Sequence, residues 1–160
     1  MKTRRRARRT ALETLYEVDL VGHPLGEVLQ ARVDDHPMES KGVAFSSTLV
    51  RGVLDNQASI DVFISRYAPE WPLDQMAVID RNILRIAIFE FVVDGGTPIK
   101  VAINEAVELA KGYASDSAPR FINGVLGTLA GLVTELRREL GLDPLETSTS
   151  DTAKTAVNLN

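Results

Sequence analysis

Apolar residues recur every three or four positions along most of this chain, the spacing that is typical of amphipathic helices. The most apolar stretch, residues 79–93, has ten apolar residues among fifteen, and they form two stripes on different faces of one helix. A buried strand is disfavoured because the stretch is long and keeps the helical spacing. This stretch therefore predicts a central helix that packs against neighbours on two sides.

Periodic segments on both sides of this stretch predict further helices. They are a first helix that ends near Gly22, a second from Leu25 to Val33, a long third from Phe45 to Tyr67, one that starts after a Thr97 N-cap, and a last one that runs through to Leu140. We therefore predict an all-α fold of about seven helices in two small packed bundles. The bundles would cover about residues 1–68 and 73–140 of a single domain, 1–140. Serine and threonine replace the periodic pattern after Gly141, so residues 141–160 are predicted to be a disordered tail.

Two features of the helical pattern invite a packing explanation. Trp71, the only tryptophan, lies in a proline-flanked connection and is predicted to wedge between the two halves of the fold. Gly124, Gly127 and Gly131 share one side of the last helix, and a strip without side chains lets another helix or a ligand backbone approach closely, with helix packing as the favoured reason.

The composition limits the classes of protein that are possible. A chain of 160 residues with 44% hydrophobic content can form one ordinary core, and it contains no cysteine for disulfides, thiolate metal sites or a thiol nucleophile. No apolar run exceeds four residues, so we expect neither a membrane span nor a secretory signal, and a cytoplasmic location.

Charge is distributed very unevenly. The net charge is −4, but six of the 18 basic residues lie between positions 2 and 9, and the rest of the chain has 12 basic and 22 acidic residues. A basic segment on an acidic body predicts binding to a polyphosphate, with double-stranded DNA disfavoured. The exposed side of the first helix can carry Arg4, Arg5, Arg8 and Arg9, with Tyr16 about two turns beyond Arg8 and Arg9 to stack a base. The alternative is a solvated or membrane-surface helix with Tyr16 in the core.

Catalytic chemistry has little support in the sequence. Glu105 and Glu108 are predicted to face solvent on one helix, and His23 and His36 lie far away in turns of the first half. We therefore predict no catalytic residue, no metal ligand and no cofactor.

Four segments together resemble one protein family. They are Arg4–Arg8 leading to Leu15–Glu17, Ile79–Ala87 with Glu90, Val101–Lys111 and Arg120–Gly127. The chain is similar to the NusB family of bacterial transcription antitermination factors over roughly residues 4–136. The resemblance implies an all-helical RNA-binding protein without catalytic activity. Its ligand would be boxA-type single-stranded RNA of nascent ribosomal RNA transcripts, and its partner the small-subunit ribosomal protein NusE, with other Nus factors and RNA polymerase contacted indirectly.

The resemblance also implies site residues. Arg4, Arg5, Arg6 and Arg8 match the family's arginine-rich motif and Tyr16 its aromatic residue, while Lys2 and Arg9 are added on charge alone. The second RNA contact would lie at the start of the last helix and consists of Asp116, Ser117, Arg120 and Phe121. Ser117 stands where the family often has an acid. Asp74 and Asp80 are the residues implied for the protein partner.

Two points stay open at this level. One alternative is a NusB-like RNA-binding domain, related to that of ribosomal RNA cytosine methyltransferases, that acts without its catalytic half. The chain has no glycine-rich cofactor loop and no cysteine nucleophile, so we do not expect an intact methyltransferase. The free protein is compatible with either a monomer or a homodimer.

Overall fold

The computed structural model describes residues 2–145, and this range contains eight α-helices, one π-helix and no strand. The elements are α1 (Lys2–Val21), α2 (Leu25–Asp35), α3 (Ser40–Asp55), α4 (Gln57–Tyr67), α5 (Val78–Ile88), the π-helix (Phe89–Asp94), α6 (Ile99–Tyr113), α7 (Ala118–Ala130) and α8 (Val133–Glu139). The predicted all-α class is confirmed. No helix within this range is long and apolar enough to cross a membrane.

The described helices outnumber the predicted ones because two predicted helices are each broken. Asn56 separates α3 from α4, since its side-chain amide donates to the carbonyl oxygen of Gly52 at 2.7 Å and competes with the helical backbone pattern. Gly131 and Leu132 separate α7 from α8. The periodic apolar stripe runs across both breaks, so periodicity alone could not reveal them.

The predicted central helix is α5 together with the π-helix. Ile83, Leu84 and Ile88 are inaccessible to solvent, and α5 contacts α1, α3, α4, α6 and α7. The π-helix ends at Gly95, whose left-handed backbone suits a residue without a side chain. Arg137 of α8 donates to the carbonyl oxygens of Val92 and Val93 at 2.6 and 3.0 Å, so α8 satisfies groups that the π-helix leaves free at its end.

A polar network connects α1 to α4 and α5. The carboxylate of Asp19 accepts hydrogen bonds from Arg81, Asn82 and Arg85 at 2.7–2.9 Å, and Arg85 also donates to Asp61 at 2.8 Å. Burial by itself would raise the pKa of Asp19. The hydrogen bonds from Arg81 and Asn82 and the charge of Arg85 outweigh that effect and hold the pKa below its usual value.

This network makes stability depend on pH in the acid range. Because the folded pKa of Asp19 is lowered, its contribution is complete above the pKa of an unfolded aspartate, about 3.9, and is lost as the pH falls through the lower folded pKa. We expect Asp19→Asn to reduce the free energy of unfolding at neutral pH and to weaken its decrease below about pH 4. Urea unfolding across that pH range would measure both effects. The assignment would be contradicted if the free energy of unfolding of the variant fell with decreasing pH as steeply as that of the wild type.

Three sequence-based expectations about local structure are wrong. Pro98, not Thr97, occupies the N-cap of α6, and the Thr97 hydroxyl instead donates to Glu90 at 2.9 Å. Trp71 is 54% exposed and meets Phe121 edge-on, with ring centroids 6.2 Å apart, so it does not wedge between two halves. Gly124 and Gly127 face open space, where no described helix approaches them. The predicted disorder of residues 141–160 stays a prediction: residues 141–145 are described and form no helix, and residues 146–160 lie outside the described range.

Candidate nucleic-acid interface

The basic segment at positions 2–9 forms the first turns of α1, and its side chains do not all share one environment. Lys2, Arg4, Arg5, Arg6 and Arg9 are exposed. Arg8 is 3% exposed, so the expectation that it lies on the exposed side of α1 is wrong. The reason is helical spacing: Arg8 lies one turn before Leu12, which is inaccessible to solvent, so both residues are on the core side of α1.

Arg8 is held in the interior by acidic residues of other helices. Its Nε and Nη2 atoms donate to both oxygens of Glu90 at 2.7–3.2 Å, and Nη1 lies 4.0 Å from Glu105. Glu90 is buried and accepts a further hydrogen bond from Thr97. Arg8 therefore fastens α1 to the π-helix and α6, and it is not available to an external ligand.

Arg5 also binds an acidic residue of another helix, but the side chain of Arg5 stays on the surface. Its Nε and Nη2 donate to the two oxygens of Glu105 at 3.1 and 2.9 Å, and its side chain is 46% exposed. The hydrogen bond from Arg5 holds the pKa of Glu105 below its usual value despite partial burial. The expectation that Glu105 faces solvent is wrong, because it is buried under the two arginines.

Three depressions follow one another along the solvent side of α1, and Tyr113 at the end of α6 lines all of them. The first, about 270 Å³, is lined by Arg5, Arg9, Glu105, Glu108, Leu109, Gly112 and Tyr113. The second, about 210 Å³, is lined by Arg6, Arg9, Thr10, Glu13, His36, Met38 and Tyr113. The third, about 560 Å³, is lined by Glu13, Tyr16, Arg32, Ala77, Val78, Ile79 and Tyr113. We call these three depressions the α1 groove.

Two further depressions lie on either side of the Trp71–Phe121 contact, and we call them the Phe121 patch. One, about 370 Å³, is lined by Trp71, Gln75, Met76, Ala77, Asp80, Ser115, Ser117, Ala118 and Phe121. The other, about 360 Å³, is lined by Tyr67, Ala68, Pro69, Glu70, Trp71, Arg120, Phe121, Gly124 and Val125. Ala77 lines both the α1 groove and the Phe121 patch. Arg6 and Phe121 therefore line depressions that are linked through shared residues, and we call this series of linked depressions the connected surface.

The remaining sequence-predicted residues have different degrees of exposure. Asp116, Ser117 and Arg120 are exposed around the start of α7, where the positive end of the helix dipole favours an anion. Tyr16 is 39% exposed, so it is available for stacking and does not lie in the core. Asp74 is exposed. Asp80 is only partly exposed, and burial raises its pKa.

Sequence reasoning missed three residues of this surface. Tyr113 and Arg32 line the α1 groove, and Trp71 forms the ridge of the Phe121 patch. Tyr113 was detectable as an aromatic residue at a helix end, but nothing in the sequence relates it to Tyr16, 97 positions earlier. Among residues 2–145, histidine, aspartate and glutamate side chains form no group that could hold a metal ion.

The arginines of this connected surface differ in the hydrogen bonds that their side chains form to other residues of the protein. Arg5 is bound to Glu105, and Arg6 donates to the carbonyl oxygen of Pro37 at 2.9 Å. Arg9, Arg32 and Arg120 form no side-chain hydrogen bond to any residue in the described range 2–145. These three are thus spread from one end of the surface to the other with donors available for a ligand.

The fold and the surface define a class: a small all-helical protein whose first helix borders a cationic, aromatic-lined groove. The model of the NusB family matches residues 5–131, which is most of the chain. The chain belongs to the NusB family.

Individual relatives agree with this assignment. The chain is 46% identical over 128 residues to the transcription antitermination protein NusB of Chloroflexus aggregans, covering 79% of this chain and 85% of the relative. It is 44% identical to that of Dehalococcoides mccartyi strain CBDB1, covering 80% and 90% of the two chains.

Solved structures support the same fold. The T. maritima NusB structure superposes with a TM-score of 0.74 at 33% identity, covering 80% of this chain and 90% of that one. A structure of antitermination factors NusB and NusE in complex with dsRNA gives a TM-score of 0.76 at 27% identity, covering 82% and 98%.

Proposed function

We propose that this chain is a transcription antitermination factor that binds boxA-type single-stranded RNA of nascent ribosomal RNA transcripts together with the ribosomal protein NusE. The observation that carries the proposal is the connected surface from Arg6 to Phe121. Relatives named transcription antitermination protein NusB, and a related structure that contains NusE and RNA, support it.

The proposed mechanism is scaffolding, without bond making. Exposed cations of α1 and Arg120 would contact phosphates, and the exposed faces of Tyr16 and Phe121 would stack unpaired bases. Asp116 and Ser117 would contact RNA at the start of α7. Holding the RNA on this surface keeps it within the transcription complex. No step requires a nucleophile, a metal or a cofactor.

The protein partner would occupy the acidic side of the same surface. Asp74 is exposed, and the Oδ1 atom of Asp80 is buried without a hydrogen-bond partner within the described residues, so a basic protein could satisfy both carboxylates. Other Nus factors and RNA polymerase would be contacted indirectly, in the cytoplasm. The proposal is also compatible with a homodimer of the free protein that covers the proposed RNA surface.

The alternative, an RNA-binding domain that serves a methyltransferase, has less support. The chain covers 85–90% of the length of two relatives that are named antitermination proteins. A catalytic subunit that binds this chain and modifies RNA would favour the alternative.

The salt dependence of RNA binding tests the proposal. Each phosphate contact contributes about −0.7 to the slope of log affinity against log salt for a single strand, so the five exposed cations of the segment contribute at most about −3.5 to that slope, and Arg120 adds about −0.7. We expect the double variant Arg6→Ala/Arg9→Ala to flatten the slope by about 1.4. Fluorescence anisotropy with boxA-like and scrambled RNA, with and without the ribosomal protein, measures it.

A matched control is Arg51→Ala, which removes an exposed arginine of α3 that lines none of the depressions described above. This variant should keep the wild-type slope. An unchanged slope in the double variant would remove α1 from the RNA site, and equal affinity for boxA-like and scrambled RNA would refute the boxA assignment.

A further inference from the structure

The third depression of the α1 groove, about 560 Å³, has the size of a binding pocket for a small molecule or a base. Its lining combines two tyrosines, Tyr16 and Tyr113, with the apolar residues Ala77 to Ile79 and one guanidinium and one carboxylate, Arg32 and Glu13. Flat aromatic faces beside a few polar groups are the usual arrangement around an unpaired base. Arg32 lies on α2, outside every segment that resembles the NusB family motifs.

Arg32, like Arg9 and Arg120, forms no side-chain hydrogen bond within the described residues 2–145. Its Nε atom is buried and has no hydrogen-bond partner in the described part of the chain, and Nη2 is 3.8 Å from Glu17, too long for a hydrogen bond. By contrast, Arg5, Arg8 and Arg85 each form two or more short hydrogen bonds to carboxylates. Within residues 2–145 this guanidinium is held by the long ion pair to Glu17 alone, so at the edge of the pocket it keeps donors for a ligand with adjacent acceptors.

Glu13 and Tyr113 supply a fixed acceptor on the other side. The Tyr113 hydroxyl donates to Glu13 at 2.7 Å, and burial together with this bond raises the pKa of Tyr113 to about 12, so the phenol stays protonated at neutral pH. The hydrogen bond orients the carboxylate of Glu13 and the ring of Tyr113 relative to each other. The ring is 38% exposed and borders all three depressions, so it can stack a base.

The two charged groups, Arg32 and Glu13, limit which base can bind in the pocket. Guanine presents two adjacent acceptors, O6 and N7, which match the donors of an arginine, and two adjacent donors, N1–H and the 2-amino group, which match a carboxylate. On the corresponding edges, adenine and cytosine carry donors and acceptors in the order opposite to that of guanine, or alternate the two. Uracil lacks the second acceptor beside O4. We propose that this pocket binds a single unpaired guanine of the RNA strand, an inference that rests on the proposed function. Arg32 and Glu13 form hydrogen bonds with the edges of the base, and Tyr16 and Tyr113 stack on its faces.

The test uses the full chain and uridine oligonucleotides of about twelve residues, a length that spans a single-strand site. One oligonucleotide contains only uridine, and the others have one central guanosine, adenosine or cytidine. We expect the guanosine strand to bind about tenfold more tightly than the others. Arg32→Met should reduce the ratio of guanosine-strand affinity to uridine-strand affinity from about ten to about one, and this ratio is the readout whatever the variant does to the uridine strand itself. Arg51→Met, on an exposed arginine outside the pocket, should keep the wild-type ratio.

Modified bases separate the two edge contacts. Replacing guanosine with 7-deazaguanosine removes N7 and should weaken binding to the wild type but not to Arg32→Met, because the partner of N7 is already gone. Tyr113→Phe retains the ring and should lose less affinity than Tyr113→Leu. Thermal unfolding of each variant establishes that the pocket is intact.

The possible outcomes distinguish a failure of the guanine pocket from a failure of the proposed RNA binding. Equal affinity for the guanosine, adenosine and cytidine strands overturns the guanine pocket but leaves the proposed RNA binding in place if the salt slope persists. Guanosine monophosphate that binds as tightly as the oligonucleotide would assign the pocket to a free nucleotide and overturn the assignment to RNA. Failure of every oligonucleotide to bind, with or without the ribosomal protein, overturns the proposed function and the pocket together.

Discussion

Replacing Arg8 with methionine is expected to lower the free energy of unfolding by about 3–5 kcal/mol. The substitution leaves Glu90 buried without its cationic partner, with only the Thr97 hydroxyl to satisfy it, and it removes a nearby positive charge from Glu105. Burying an unpaired carboxylate costs far more than the net contribution of an exposed ion pair. Urea unfolding at neutral pH measures the loss.

Two companion variants make this result specific. Arg9→Met, one position further along α1, removes an exposed arginine and should change stability by less than about 0.5 kcal/mol. The double variant Arg8→Met/Glu90→Gln removes both charges and should recover part of the stability. If Arg8→Met were as stable as Arg9→Met, Arg8 would not be the buried anchor described above. In that event its assignment to the RNA surface would stand again.

Replacing Gly52 with alanine is expected to lower the free energy of unfolding by about 1–3 kcal/mol. A Cβ atom at this position of α3 would overlap the ring of Phe89, which is buried at the start of the π-helix. Phe89 has little room to withdraw because it packs within the main core cluster. Chemical denaturation of the variant measures the effect.

The control for this variant is another helical glycine with open surroundings. Gly127→Ala adds a methyl group that has no described atom within 4 Å beyond its chain neighbours and its own helix backbone, and it should be neutral or stabilising by up to about 1 kcal/mol through helix propensity. Phe89→Leu combined with Gly52→Ala should recover stability if the overlap is the cause. An equal response of the two glycine positions would contradict the close approach of α3 and the π-helix.

Much of the proposed RNA surface could be inferred from the sequence. The cluster of basic residues at positions 2–9 and the resemblance around Phe121 pointed to two segments, and the structure brings both onto one connected surface. The expected exposure of Arg8 is wrong because it was inferred from charge density without regard to the position of Arg8 around the helix. The spacing of Arg8 to Leu12 was already present in the sequence and would have predicted its burial.

Other parts of the site had no signal in the sequence. Glu105 looked like a solvent-facing acid because its own helix is polar on that side, and only the packing of α1 over α6 covers it. Arg32, Tyr16 and Tyr113 come from three helices that meet at a single depression. No local pattern encodes such a meeting, since it depends on how the helices are arranged.

The amino-acid sequence by itself determined the all-helical class, the buried α5 segment and the cationic start of α1, because apolar periodicity and charge density are local properties of the chain. Only the tertiary structure decided which arginines are anchors and which face a ligand, where the long apolar stripes break, and which aromatic side chains share a pocket. Those outcomes depend on contacts between residues far apart in sequence, such as Arg8 with Glu90 and Gly52 with Phe89, and such contacts exist only once the helices have packed.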